Sequence, residues 1–169
     1  MMSALIFAAT LAAAACQGPF TADAHHIGPV VLNQSVAALK TSSLDIDRTM
    51  VTDDCCDHPH YVVTVCPGLD IDADADERDR TLVSLSTASS GFTTRKGAHV
   101  GMTVRELKAL YPNGNLTYGK GEGLYATFVI ASGLYFSLDQ DGIPDKCYEN
   151  DAKCDALFLD RRAVELDVR

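Results

Sequence analysis

Tryptophan is absent from this chain, aromatic residues make up only 7% of it, and 14 Lys and Arg face 23 Asp and Glu. The formal net charge of −9 disfavours nonspecific nucleic-acid binding, which needs clustered cations to neutralise phosphates. Arg95-Lys96 and Arg161-Arg162 are the only basic pairs. Catalytic signatures are missing as well. There is no Gly-x-Ser-x-Gly elbow, no Walker loop, no His-Glu-x-x-His and no Rossmann glycine fingerprint. No apolar run is long enough to span a bilayer.

What is present begins with the leader. Ala4 to Ala15 is an apolar run of signal-peptide length, although no Lys or Arg precedes it. Residues 1–15 read as a signal peptide, with a second cleavage option after Ala24. Leu11-Ala-Ala-Ala-Ala-Cys16 resembles a bacterial lipobox, which implies acylation of Cys16 as the new N-terminus. Gln17 after it points that form to the periplasmic face of the outer membrane. Plain cleavage leaves a periplasmic or secreted protein. Residues 16–26 read as a tether, and residues 27–169 as a single domain.

The six cysteines suit an oxidising compartment. Cys147 and Cys154 would close a short polar loop, and Cys66 would clip a second one with Cys56 or with Cys55. Spacing alone does not fix these pairings.

Helix signals are clearest at residues 103–112. Thr103 and Glu106 form a capping box, Met102 and Leu107 a hydrophobic staple, and Pro112 a stop. Ser35-Val36-x-x-Leu39-Lys40 aligns with Thr103-Val104-x-x-Leu107-Lys108 without a gap, which marks an internal repeat. Strands are expected at residues 27–32, 61–66, 81–87, 124–130, 134–138 and 162–168 from β-branched content and period-two alternation. Residues 41–60 and 70–80 read as polar connections. The expected fold is α+β, with two helix-then-strands units at about 27–90 and 91–169. Their hairpins form one antiparallel sheet with the helices on one face.

Val100-Gly101-Met102-Thr103 followed by Glu106-Leu107 resembles the Gly-Met-Thr-x-x-Glu-Leu signature of small envelope lipoproteins of the SmpA/OmlA (BamE) group. The tandem plan is similar to the β-lactamase-inhibitor-protein fold. The first unit departs from the signature, with Asn33-Gln34-Ser35 in place of Gly-Met-Thr. These resemblances imply a fold and a cell-envelope setting, and no functional residue is carried over from them.

Two metal sites are candidates. Cys55, Cys56, His58 and His60 offer soft and borderline ligands to zinc, against a structural disulfide beside exposed histidines. Asp139-Gln-Asp-Gly-Ile-Pro-Asp145 resembles one calcium unit of thrombospondin type-3 repeats, with carboxylates from Asp139, Asp141 and Asp145 and the carbonyl of Ile143. The alternative there is a tight Asp-Gly turn, and no cofactor is otherwise expected. The expected function is an exported, non-catalytic cell-envelope module that binds a protein, with a membrane contact only through an N-terminal lipid. The alternatives are a secreted inhibitor of an enzyme, with Tyr125 and Tyr135 on the wet sheet face, and a metal-dependent hydrolase built on the Cys/His cluster.

Overall fold

In the computed structural model, residues 16, 20–52, 57–121, 123–149 and 153–169 are described. Period-two alternation governs most of them. β6 (Leu69–Ala75) buries Ile71, Ala73 and Ala75 and turns Asp70, Asp72 and Asp74 to the other face. β11 (Leu134–Leu138) buries Leu134, Phe136 and Leu138 and turns Tyr135 and Ser137 away. Strands with one apolar and one polar face assemble by covering the first and leaving the second wet.

Eight strands do this in one antiparallel sheet, in the order β4-β5-β6-β7-β12-β11-β10-β9. They are β4 (Asp45–Thr52), β5 (Asp57–Cys66), β6, β7 (Leu82–Thr87), β9 (Asn115–Lys120), β10 (Leu124–Ala131), β11 and β12 (Ala163–Val168). Two four-strand meanders thus meet where β7 pairs with β12, through Leu85–Val168, Ser86–Asp167 and Thr87–Leu166. A second, smaller sheet joins β1 (Phe20–Asp23), β2 (His26–Ile27), β3 (Val30–Val31) and β8 (Phe92–Thr94), with β1 parallel to β8.

The described residues are mostly β, with 50% strand and 14% helix. The α+β expectation, with helices layered on one face, is therefore corrected. Helices α1 (Val36–Lys40), α2 (Val104–Leu110) and α3 (Asp155–Phe158) have five, seven and four residues, too short to form a layer. Three stretches expected as tether or connection are strands. Residues 20–23 are β1, between β2 and β8, with Ala22 buried. Residues 45–52 are the edge strand β4, paired with β5 along its whole length. Residues 69–75 are β6, hidden from a propensity reading because Asp and Ala are poor strand formers.

The internal repeat is visible in the backbone. Val36 N–H donates to the Arg80 carbonyl at 2.9 Å, and Val104 N–H to the Arg161 carbonyl at 3.0 Å. Asn33 N–H donates to Leu82 at 2.9 Å, and Gly101 N–H to Ala163 at 2.8 Å. Each short helix is thereby stitched to the first residues of the last strand of its meander. Asn33 and Gly101 both sit at positive φ, 65° and 97°. The first unit's departure from Gly-Met-Thr thus keeps the conformation, because Asn is among the few side chains that tolerate the left-handed region. Ser35 accepts from Ala38 N–H, and Thr103 and Glu106 close the capping box.

The core is one cluster. Leu39 and Leu107 from the helices, Ile27 and Phe92 from the small sheet, and Tyr61, Ile71, Leu85, Phe128, Phe136 and Leu166 from the large sheet are all essentially inaccessible. Among the described residues, two disulfides join Cys16 to Cys66 and Cys147 to Cys154. Cys66, expected to pair with Cys56 or with Cys55, is joined to Cys16; Cys55 and Cys56 lie outside the described residues.

Candidate functional site

The wet face of the large sheet gathers the chemistry. Pairing register lays Asp47, Val62, Asp72, Ser86, Asp167 and Tyr135 in one row across the strands. Thr49, His60, Asp74 and Ser84 form the next row.

In that second row, the His60 Nδ1 lies 2.8 Å from Asp74 and its Nε2 lies 3.1 Å from Asp72. The ring thus bridges two carboxylates of β6. The Ser84 hydroxyl donates to Asp74 at 2.6 Å, and His58 lies 3.5 Å from the same carboxylate. Burial works to raise the Asp74 carboxyl. The Ser84 hydroxyl, the ring and charge of His60, and His58 outweigh it and hold the group below the ordinary carboxylate range. The serine here is bonded to the acid and not to the imidazole. This is the wrong order for an activated nucleophile, whose proton must pass to the histidine.

Asp167 lies at the centre of the face, 5% exposed, and accepts from the Ser137 hydroxyl at 2.9 Å. Burial pushes its carboxyl up to about 6, and the Glu165 charge adds to the rise against the pull of Ser137 and Arg169. Burial and the charge of Asp167 likewise raise the Tyr135 phenol. The Arg169 guanidinium sits 5.8 Å from the Tyr135 ring centre. Beyond it, Tyr125 is 46% exposed and its ring lies across Gly119, where an added Cβ would meet the phenol oxygen at 2.7 Å.

The other candidates separate. Cys55 and Cys56 lie outside the described residues, while His58 and His60 face Asp72 and Asp74. In the loop after β11, Asp139 accepts from Asp141 N–H at 3.0 Å and faces Arg161 at 3.8 Å. Ile143 is buried, and Asp145 opens a single 3₁₀ turn. Among the described residues no group of three or more His, Cys, Asp or Glu is placed to hold a metal ion.

A cleft of about 810 Å³ beside the small sheet holds Thr21, Asp23 and His26, a combination not apparent from the sequence. His26 Nε2 lies 3.3 Å from the Thr21 hydroxyl and its Nδ1 lies 2.9 Å from Asp23. The same Asp23 oxygen accepts from the His25 and His26 N–H groups, at 2.8 and 3.2 Å. That carboxylate is the hinge of the β1–β2 turn, and the imidazole is its cross-strand neighbour.

No family model matches the sequence, and no curated protein matches it. Among solved structures the chain is similar to that of the "uncharacterized protein yfeY" from Escherichia coli, with a TM-score of 0.60 at 11% identity. The match covers 90% of this chain and 99% of the other. The likeness is one of fold. The disulfides Cys16–Cys66 and Cys147–Cys154 place the chain in an oxidising, exported setting. No helix among the described residues is long and apolar enough to cross a membrane.

Proposed function

We propose that this protein is an exported, non-catalytic binding module that docks a protein partner on the wet face of its eight-stranded sheet. The observation that carries the reading is Asp167. A folded sheet gains nothing from holding an ionisable group in the middle of a face where burial penalises its charge. Groups kept at such a cost cluster where function needs them. Around Asp167 the face offers further carboxylates from Asp72, Asp74 and Glu165, so the complementary surface is basic. Tyr135 and the more exposed Tyr125 supply rigid aromatic area, the residue type that anchors interfaces.

A photo-crosslinking side chain at Thr127, on this face, tests the reading against one at Leu157, which is 49% exposed on α3. In the exporting host, Thr127 is expected to yield one discrete adduct that weakens with salt, and Leu157 none. Adducts from Leu157 and not from Thr127 would move the docking surface elsewhere. An enzyme in the Thr127 adduct would select the inhibitor reading, which the exposure of Tyr125 favours.

A further inference from the structure

Two basic pairs stand out in an acidic chain, and the docking face uses neither. Three of their four side chains are tied down. Arg161 faces Asp139 at 3.8 Å, Arg162 donates to the Gly101 carbonyl at 2.7 Å, and Lys96 donates to the Leu110 carbonyl at 3.1 Å. Arg95, the fourth, makes no hydrogen bond or ion pair among the described residues, and it lines the cleft beside the small sheet. We propose that this cleft binds an aliphatic monocarboxylate, with Arg95 on the carboxylate and the chain along the apolar wall. The proposal goes beyond the docking of a protein and does not depend on it.

Local sequence sets Arg95 at the rim. Gly97 N–H donates to the Thr94 carbonyl at 2.8 Å and Thr94 N–H to the Ala98 carbonyl at 2.8 Å, so residues 95 and 96 form the tip of a tight turn. Gly97 closes it at φ 86°, in the left-handed region. The turn is braced against α2. Thr94, 4% exposed, accepts from the Tyr111 hydroxyl at 2.8 Å, and the Lys96 ammonium lies 4.7 Å from the centre of the Tyr111 ring. A braced turn has little backbone freedom to lose on binding, and the planar fork of a guanidinium fits a carboxylate.

The wall behind it is apolar. Ile130 and Tyr111 pack against the core, and Ala22 and Leu134 are buried. Leu134 lies on the covered side of β11 and Tyr135 on the wet side, so cleft and docking face are on opposite sides of the sheet. About 810 Å³ of mostly apolar wall with a few polar groups is the form of a small-molecule site. Charge limits the head group. Asp23 also lines the cleft, its carboxylate engaged by the His25 and His26 N–H groups and the His26 ring. That negative charge disfavours a dianion such as a phosphate monoester, whereas a single carboxylate is matched by Arg95.

The test is an amide-shift titration with sodium octanoate, on isotope-labelled protein purified with its disulfides from an exporting host. Saturable shifts are expected at Ala22, Thr93 to Gly97 and Ile130, with Asp72 and Tyr135 on the docking face unmoved. Arg95→Ala should weaken octanoate binding about tenfold or more, and Arg95→Lys by less, because it keeps the charge and loses the fork. Acetate, without the chain, and octyl glucoside, without the charge, should each bind at least about tenfold more weakly. Absence of saturable shifts in the cleft overturns the proposal, as does octyl glucoside binding as tightly as octanoate, or an affinity unchanged in Arg95→Ala. Arg95 is exposed on a turn, so neither variant should lower Tm. If one does, the wild-type shifts with the three probes decide the matter by themselves.

Discussion

Asp167 and Asp74 lie on one sheet face, and the fold shifts their carboxyls in opposite directions. Asp167 is raised in the folded state to about 6, so between its unfolded value and 6 the folded chain binds more protons than the unfolded one. Its contribution to stability falls as pH rises through that window and stays low above it. Asp167→Asn is therefore expected to stabilise the protein by roughly 1–3 kcal/mol at pH 8, and to change little near pH 4. Urea unfolding at the two pH values reads the difference. Asp74 is held below its ordinary value, so its contribution is present above that value and is lost as pH falls through the lowered one. Asp74→Asn should destabilise at pH 7, and the deficit should close in acid. Equal effects of the two substitutions at pH 7 would mean that the wet face is not organised as described.

A further residue-scale expectation concerns backbone handedness. Asn33→Ala should cost about 1 kcal/mol because its φ is positive, while Asn33→Gly should cost nothing measurable. Thermal unfolding of the pair separates the backbone effect from any loss of side-chain contact.

Among the elements, the two capped helices are where local sequence and local structure agree. A cap is a contact between residues three apart, so its chemistry is readable without the rest of the fold. Leu107 and Leu39 are fully buried beneath the caps. Leu107→Ala should cost ~2–5 kcal/mol, and Leu39→Ala a similar amount, by chemical denaturation. A negligible cost at Leu107 would detach α2 from the core. β6 is the opposite case. Asp alternates with Ile and Ala along it, yet acidic residues at that density read as a polar connection. Pairing with β5 and β7 overrides the weak propensity, because the apolar half of the alternation is buried. β4 carried still less signal. As an edge strand it is exposed along nearly all its length, so no burial pattern marks it.

At the scale of the molecule, the two meanders share one sheet through β7 and β12, and the wet face of that sheet crosses the join. Asp72 and Ser86 from the first meander line up with Asp167 and Tyr135 from the second. A partner docked there would span both units, so binding should report their integrity. A charge reversal at Asp72 in the first unit and Tyr125→Ala in the second are each expected to weaken the Thr127 adduct, without lowering Tm to match. Gel quantification of the adduct beside thermal melts checks this.

By itself the sequence determined the features that depend on neighbours in the chain. These are the capped helices, the strands with β-branched alternation and the oxidising compartment implied by six cysteines. The candidate site was legible only as a list of polar residues on a wet face. Tertiary structure decided which of them meet. His60 reaches Asp72 and Asp74 because β5 and β6 are in register. Asp167 is buried because β12 lies between β7 and β11. Cys66 meets Cys16, 50 residues away in sequence, because the fold brings the two segments together. Each of these outcomes is set by strand pairing between distant segments, and no local preference encodes that register.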